Sequence, residues 1–328
     1  VRLRRSDLSA EGICRRRRGK GFTYHLNGSA VGDAETLARI RALVIPPAWQ
    51  QVWICPDPAG HIQAVGVDVA GRKQYLYHEK WRTKRDAEKF EHMLEVARAL
   101  PRLRKRVAAD LDGEGVPRER ALAAATRLLD SAALRIGGES YAQDDPVLGE
   151  ATFGLATLRR EHVIVRGERI SFRFAGKGGG TLEFDVDDAA LARVLTSLLR
   201  RRDANPELLA YREGRGWRDV RSEHVNEYLR DRSGLEMTAK DFRTWFGTVA
   251  AAMSLAESGL ARGVTHERRV IAQAMRDTAE LLGNTPAIAR KSYVDARVLE
   301  LYRSGVIIRP GLSRQQAERA VSRLLTNA

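Results

Sequence analysis

The sequence predicts an α+β protein: a small β-rich domain over residues 1–85, then a mostly α-helical domain over 86–328 that contains a short three-stranded sheet. Three observations predict it. Short apolar runs bounded by Pro, Gly and Asp fill the first 85 residues, apolar spacing switches to three and four residues from Lys84, and turn residues break the helical pattern between 153 and 174. A chain of 328 residues suffices for about two domains, and 43% hydrophobic residues with only 10 prolines allow a real core.

In the first domain, Ile45-Pro46-Pro47-Ala48-Trp49 is a breaker, Val52-Trp53-Ile54-Cys55 a short buried strand and Asp57-Pro58-Ala59-Gly60 a turn. His61 to Asp68 reads as another strand. From Lys84, Phe90, Met93, Leu94, Ala97 and Leu100 mark one face of an amphipathic helix, which Pro101 is expected to interrupt or kink. After a loop at Asp110 to Gly115, a second helix carries Leu122, Ala125, Leu128, Leu129, Ala132 and Ile136 and leads into Arg135-Ile136-Gly137-Gly138. Phe153 to Leu158, Val163 to Val165 and Ile170 to Phe174 are then expected as three strands. Past Lys177 and Thr181-Leu182-Glu183-Phe184, helices are expected at about 187–202, 219–231, 238–256, 264–282 and 311–326, with Asp219 and Thr238 as caps.

The charge balance narrows the partner. Lys and Arg total 56 against 42 Asp and Glu, a formal net charge of +14. Each phosphate neutralised by such a side chain releases condensed counterions, which favours nucleic acid over an anionic membrane. The longest apolar stretch, 245–256, falls short of the roughly 20 residues that cross a bilayer, and the first residues lack an apolar leader, so a cytoplasmic protein with no membrane partner is expected. Cys14 and Cys55 give neither a disulfide framework nor a CxxC pair. The Gly-Lys-Gly-Gly-Gly at 176–180 lacks the spacing and the Ser/Thr of a nucleotide-binding P-loop, and the seven histidines are dispersed without ligand spacing. No cofactor, nucleotide or metal is expected. The run Arg15 to Arg18 reads as a mobile phosphate-binding arm or a solvated run.

Four short contexts stand apart from generic fold: Leu134-Arg135-Ile136-Gly137-Gly138, Phe174-Ala175-Gly176-Lys177-Gly178, Lys240-Asp241-Phe242-Arg243-Thr244-Trp245 and Lys291-Ser292-Tyr293-Val294-Asp295. With Gly66-Val67-Asp68-Val69-Ala70-Gly71-Arg72-Lys73-Gln74-Tyr75 and Leu282-Gly283-Asn284-Thr285-Pro286, they make the chain resemble the type IB DNA topoisomerases, in the compact form of poxviruses and some bacteria. Any one of these motifs is weak, but together, in the family's order, they are specific. The resemblance implies a tyrosine-recombinase-like catalytic domain that relaxes supercoiled DNA. One strand is cut through a 3′-phosphotyrosine, the DNA rotates about the other strand, and the break is resealed without ATP or metal.

The resemblance also assigns roles, each with a chemical reason. Cutting a phosphodiester without a metal needs a nucleophile, charge stabilisation on the phosphorane and an acid for the departing 5′-oxygen. Tyr293 is expected as the nucleophile, Arg135 and Arg243 as planar clamps on the nonbridging oxygens, and Lys177, on a hairpin that reaches the minor groove, as the general acid. Asn284 stands where the poxvirus pattern has a histidine, and is expected to donate a hydrogen bond to a nonbridging oxygen rather than cap the helix that starts near Pro286.

DNA contacts are expected from Arg72, Lys73, Gln74, Tyr75 and Tyr77, with Lys73, Tyr75 and Tyr77 on one strand face, and from Lys240. In the resembling family this strand grips DNA from the side opposite the catalytic domain. The expected partner is duplex DNA, bound by a nucleoid-associated monomer. Two other readings stay open: a tyrosine recombinase or integrase, which shares the Arg-Lys-Arg-Tyr logic but usually carries His-x-x-Arg where this chain has Lys240-Asp241-Phe242-Arg243, and a catalytically silent nucleoid-binding protein.

Overall fold

Alternating apolar and polar residues in the first 90 positions build an antiparallel sheet. The computed structural model describes residues 2–138, 142, 151–177 and 180–327, and separates into two units, Val1–Phe90 and Glu91–Ala328. Unit one contains β1 (Ile13–Arg18), β2 (Gly21–Leu26), β3 (Ser29–Ala30), α1 (Ala34–Ala42), β4 (Gln50–Ile54), β5 (Ile62–Val67) and β6 (Lys73–Tyr77). The strand order is β3-β2-β1-β4-β5-β6, every neighbour antiparallel, so β6 is an edge. Ile13, Val52, Ile54 and Ala64 point to the face that α1 covers with Ile40. Asp33 caps that helix by accepting from the Thr36 N–H at 2.8 Å.

The basic run 15–18 is neither an arm nor simply a solvated run. It lies in β1, paired residue for residue with β2, and Arg15 donates to the carbonyls of Ile45, Pro46 and Trp49 while stacking on Phe22 at 4.2 Å. Strand pairing satisfies its backbone, and the guanidinium serves carbonyls that the Pro46-Pro47 breaker leaves without strand partners.

Unit two is mainly helical. The unit boundary falls inside α2 (Glu79–Leu111), which continues through Pro101 without ending there. Pro101 is exposed, and the buried Leu100, Leu103 and Val107 on either side carry the helix past it. Helix α3 (Arg118–Ala132) is the core helix: Leu122, Leu128 and Leu129 are fully buried, each contributing about 1.5–3 kcal/mol. It stops three residues before Arg135, because Ala133 adopts a left-handed conformation with φ 49°.

The three-stranded sheet comprises β7 (Val163–Arg166), β8 (Arg169–Ala175) and β9 (Thr181–Asp187). Residues 153–158, expected as its first strand, form no strand; they contain a single 3-10 turn at Leu155–Thr157, and Thr181–Asp187 supplies the third strand instead. A second hairpin, β10 (Ala210–Glu213) and β11 (Gly216–Asp219), was not expected, and its last residue is where a helix was expected to begin. Asp219 is still paired with Ala210, so the following helix starts later and Asp219 is not its cap. The remaining helices are α4 (Ala189–Leu199), α5 (Ser222–Ser233), α6 (Ala239–Ser258), α7 (Val264–Leu282), α8 (Pro286–Ser292), α9 (Ala296–Arg303) and α10 (Arg314–Thr326). Thr238 caps α6 in a capping box with Asp241, whose carboxylate accepts from the Thr238 N–H at 2.7 Å and hydroxyl at 3.0 Å. Among the described residues no helix is long and apolar enough to cross a membrane.

Candidate active site

Five of the expected residues meet in one cleft of about 390 Å³: Arg135, Lys177, Lys240, Arg243 and Tyr293 line it, with Ile136, Gly137, Gly138, Thr152 and Phe153. They arrive on separate elements. Arg135 sits in the extended segment after α3, Lys177 in the turn between β8 and β9, Lys240 and Arg243 in the first turns of α6, and Tyr293 at the C-terminal end of α8.

The Arg135 segment is fixed by backbone pairing. Leu155 and Ala156 N–H groups donate to the carbonyls of Arg135 and Ile136 at 2.8 and 2.7 Å, and Phe153 N–H donates to Ala175 just before the Lys177 turn. This pairing uses the backbone groups that a regular strand at 153–158 would have given to a neighbour. Gly154 makes it possible, since a Cβ there would lie 2.5 Å from Gly137 Cα. Thr152 and Phe153 were not singled out in the sequence; the signal was Gly154, a glycine inside an apparent strand, which marks close backbone approach. Gly178 and Gly179, beside Lys177, lie outside the described residues.

Arg243 is buried, 5% exposed, and donates to the carbonyls of Ala133 and, at 2.7 Å, Leu282. It thereby holds the strained left-handed residue at the end of α3 and the last residue of α7, the two points from which Arg135 and Asn284 depart. Its guanidinium lies 5.2 Å from the centre of the Tyr293 ring. Arg135 donates through one nitrogen to Gly283 O at 2.7 Å and to Asn284 Oδ1 at 2.6 Å.

That contact settles the orientation of the Asn284 amide, because only oxygen can accept from the guanidinium. Its Nδ2 is then a buried donor without a partner among the described residues. The cap of α8 is Thr285, whose hydroxyl accepts from Ile288 N–H, with Pro286 in the first turn, so Asn284 does not serve as that cap.

Electrostatics act on the phenol of Tyr293. Burial alone would raise its pKa, but the charge and hydrogen bond of Arg243 and the charges of Arg135 and Lys240 outweigh burial, so it lies below its ordinary value. Burial lowers both Arg135 and Arg243, and Arg243 is further lowered by Arg135. Such a site favours an anion among fixed donors.

The other expected DNA-contact residues lie in unit one. Lys73, Tyr75 and Tyr77 share the exposed face of edge strand β6, and the two tyrosine rings stack with centroids 6.2 Å apart. Arg72 and Gln74 instead turn to Asp68, which accepts from Arg72 Nε at 3.0 Å and Gln74 Nε2 at 2.9 Å. The hydrogen bonds from Arg72, followed by those from Gln74 and Ala70, hold that carboxyl down to about 2.

The family of the eukaryotic DNA topoisomerase I catalytic core matches residues 78–306, a span that includes Arg135, Lys177, Lys240, Arg243, Asn284 and Tyr293. The N-terminal domain family of bacterial DNA topoisomerase IB matches residues 21–68, leaving β6 between the two matches. DNA topoisomerase 1B of Acanthamoeba polyphaga mimivirus is 29% identical over 310 residues, covering 90% of this chain and 88% of the viral one. DNA topoisomerase 1B of Vaccinia virus (strain Copenhagen) is 23% identical over 263 residues, covering 77% and 76%. With a matched catalytic core that encloses the whole cleft, the chain belongs to the type IB DNA topoisomerase family.

Proposed function

We propose that this enzyme relaxes supercoiled duplex DNA by transient cleavage of one strand at the cleft formed by Arg135, Lys177, Lys240, Arg243 and Tyr293. The observation that carries the reading is the convergence of four cationic side chains on one half-buried tyrosine, whose phenol three of them, Arg243, Arg135 and Lys240, acidify. Tyr293 gives its phenolic proton to solvent, its Oη attacks the phosphorus, the bond from phosphorus to the 5′-oxygen breaks, and the strand is held as a 3′-phosphotyrosine. Lys177 delivers a proton to the departing oxygen, and Arg135 and Arg243 hold the nonbridging oxygens. In the reverse step the 5′-hydroxyl attacks, and phenolate leaves readily enough for resealing without ATP. The tyrosine-recombinase-like fold of the catalytic unit belongs to this reading. All these groups come from one chain, which supports a monomer; the enzyme works in the cytoplasm, on the nucleoid, with no nucleotide cofactor and no membrane partner. The exposed face of Lys73, Tyr75 and Tyr77 supplies further DNA contacts, and Arg72 and Gln74 contribute at the end of the same strand.

Relaxation of plasmid without ATP or magnesium tests the reading. Relaxed topoisomers, with a 3′-linked adduct trapped on denaturation, are expected. Recombination between two sites would instead mark a recombinase, and neither adduct nor relaxation would leave only DNA binding.

Asn284 completes the site as a neutral donor to a nonbridging oxygen, a role supported by its Nδ2, which has no partner among the described residues. Asn284→Ala is expected to slow cleavage by about 10²–10³-fold, as removal of one oxyanion donor does, with the melting temperature nearly unchanged because Thr285 caps α8. An early-melting variant that cleaves at the normal rate would make the residue structural.

Lys240 is one of the charges that lower the Tyr293 phenol, so its removal moves that phenol upward. In single-turnover cleavage at saturating DNA, the limb of the pH profile that rises with phenol deprotonation should shift to higher pH in Lys240→Ala. An unmoved limb would separate Lys240 from the nucleophile.

A further inference from the structure

We propose that Thr248, in the middle of α6, is a positioning residue for Tyr293. Its hydroxyl fastens the helix that carries Arg243 to the backbone that carries the nucleophile. The proposal rests on the reading of Tyr293 as nucleophile given above.

A threonine inside a helix ordinarily turns its hydroxyl back to the carbonyl four residues earlier. Thr244 does so toward Lys240 O at 3.2 Å, and Thr278 toward Ala274 O at 2.8 Å. Thr248 reaches out of its helix instead. Its Oγ1 donates to Tyr293 O at 3.1 Å and accepts from Asp295 N–H at 3.1 Å, so one fully buried hydroxyl satisfies the backbone on both sides of Val294. That backbone is where α8 has ended and α9 has not begun, and it has no regular helix partners for those two groups.

The residue before it makes the approach possible. Gly247 lies four residues after Arg243, hence on the same face of α6. A Cβ there would come within 2.9 Å of Tyr293 Cβ and 3.1 Å of Tyr293 O. Glycine in a helix interior is costly, and here it removes the atom that would push the tyrosine backbone off the helix. Gly247 and Thr248 therefore form a seat, one by contact and one by hydrogen bonding, for the residue that must reach phosphorus beside Arg243. Asp295, 3% exposed, is held in turn by Arg297, whose Nη2 lies 2.8 Å from its carboxylate.

Single-turnover cleavage at saturating DNA should separate placement from folding. Thr248→Val keeps the shape and removes the hydroxyl; we expect cleavage to slow by about 10²-fold, the cost of roughly 1 Å of misplacement. Noncovalent DNA affinity, measured with Tyr293→Phe in the same background, should stay unchanged. Thr248→Ser restores the hydroxyl and should recover cleavage to within a few fold. Gly247→Ala leaves the hydroxyl in place but displaces the tyrosine backbone, and should also slow cleavage at unchanged affinity. Normal cleavage by folded Thr248→Val, or a serine variant as slow as the valine one, would overturn the proposal; if the valine variant does not fold, normal cleavage by Gly247→Ala would do so. Mapping the wild-type adduct keeps the two readings apart. An adduct on another residue removes Tyr293 as nucleophile, whereas an adduct on Tyr293 with normal cleavage by Thr248→Val removes only the seat.

Discussion

Tyr293→Phe is expected to abolish both covalent adduct and plasmid relaxation while DNA affinity is nearly kept. The substitution removes one oxygen and leaves the ring that packs 5.2 Å from the Arg243 guanidinium. The Tyr293 backbone contacts to Thr248 and Ala289 involve no side-chain atom of the tyrosine, so the site should keep its shape. Affinity for DNA comes mainly from cationic groups that release counterions, and none of those is touched. Gel shift at fixed salt, beside denaturing detection of adduct, measures the two quantities separately. A persistent adduct in the phenylalanine variant would mean that a different residue attacks.

Lys177→Ala should have the second large effect, and a selective one. A general acid contributes about 10²–10⁴-fold, and it does so only when the leaving oxygen needs a proton. Cleavage of an ordinary phosphodiester should therefore fall by that factor, while a substrate with sulfur in place of the bridging 5′-oxygen, a leaving group of low pKa, should be cleaved at nearly the wild-type rate. Lys177 is exposed in the turn between β8 and β9 and lines the same cleft as Tyr293, a placement that suits a group reaching to the DNA. Equal slowing on both substrates would reassign Lys177 to phosphate binding.

The charged members of the site were legible because each sits in a short context that generic packing does not require. Arg243 follows a capping box, Lys177 is flanked by glycines, and Tyr293 lies nine residues after Asn284. The β-rich first unit and helical second unit were legible from the change in apolar period near Lys84. What escaped the sequence was set by tertiary contact. Residues 153–158 have a strand's composition, but Gly154 against Gly137 diverts their backbone to the Arg135 segment. The hairpin at Ala210–Glu213 and Gly216–Asp219 is too short for its alternation to stand out, and Asp219, a good cap by type, is occupied in that pairing. Pro101 was expected to interrupt or kink a helix that in fact continues through it, carried by the buried Leu100, Leu103 and Val107. Asn284 could be read as cap or donor until Thr285 was seen to take the cap. Thr248 carried no signal at all, since a threonine whose hydroxyl leaves its helix has the same sequence as one whose hydroxyl does not.

Digestion of the denatured protein–DNA adduct identifies the modified residue and the DNA end it holds. A single modified peptide containing Tyr293 is expected, joined through a phosphodiester to the 3′ end of the cut strand, with a free 5′-hydroxyl on the other side. Attachment to any other residue, or to a 5′ end, would contradict the proposed chemistry.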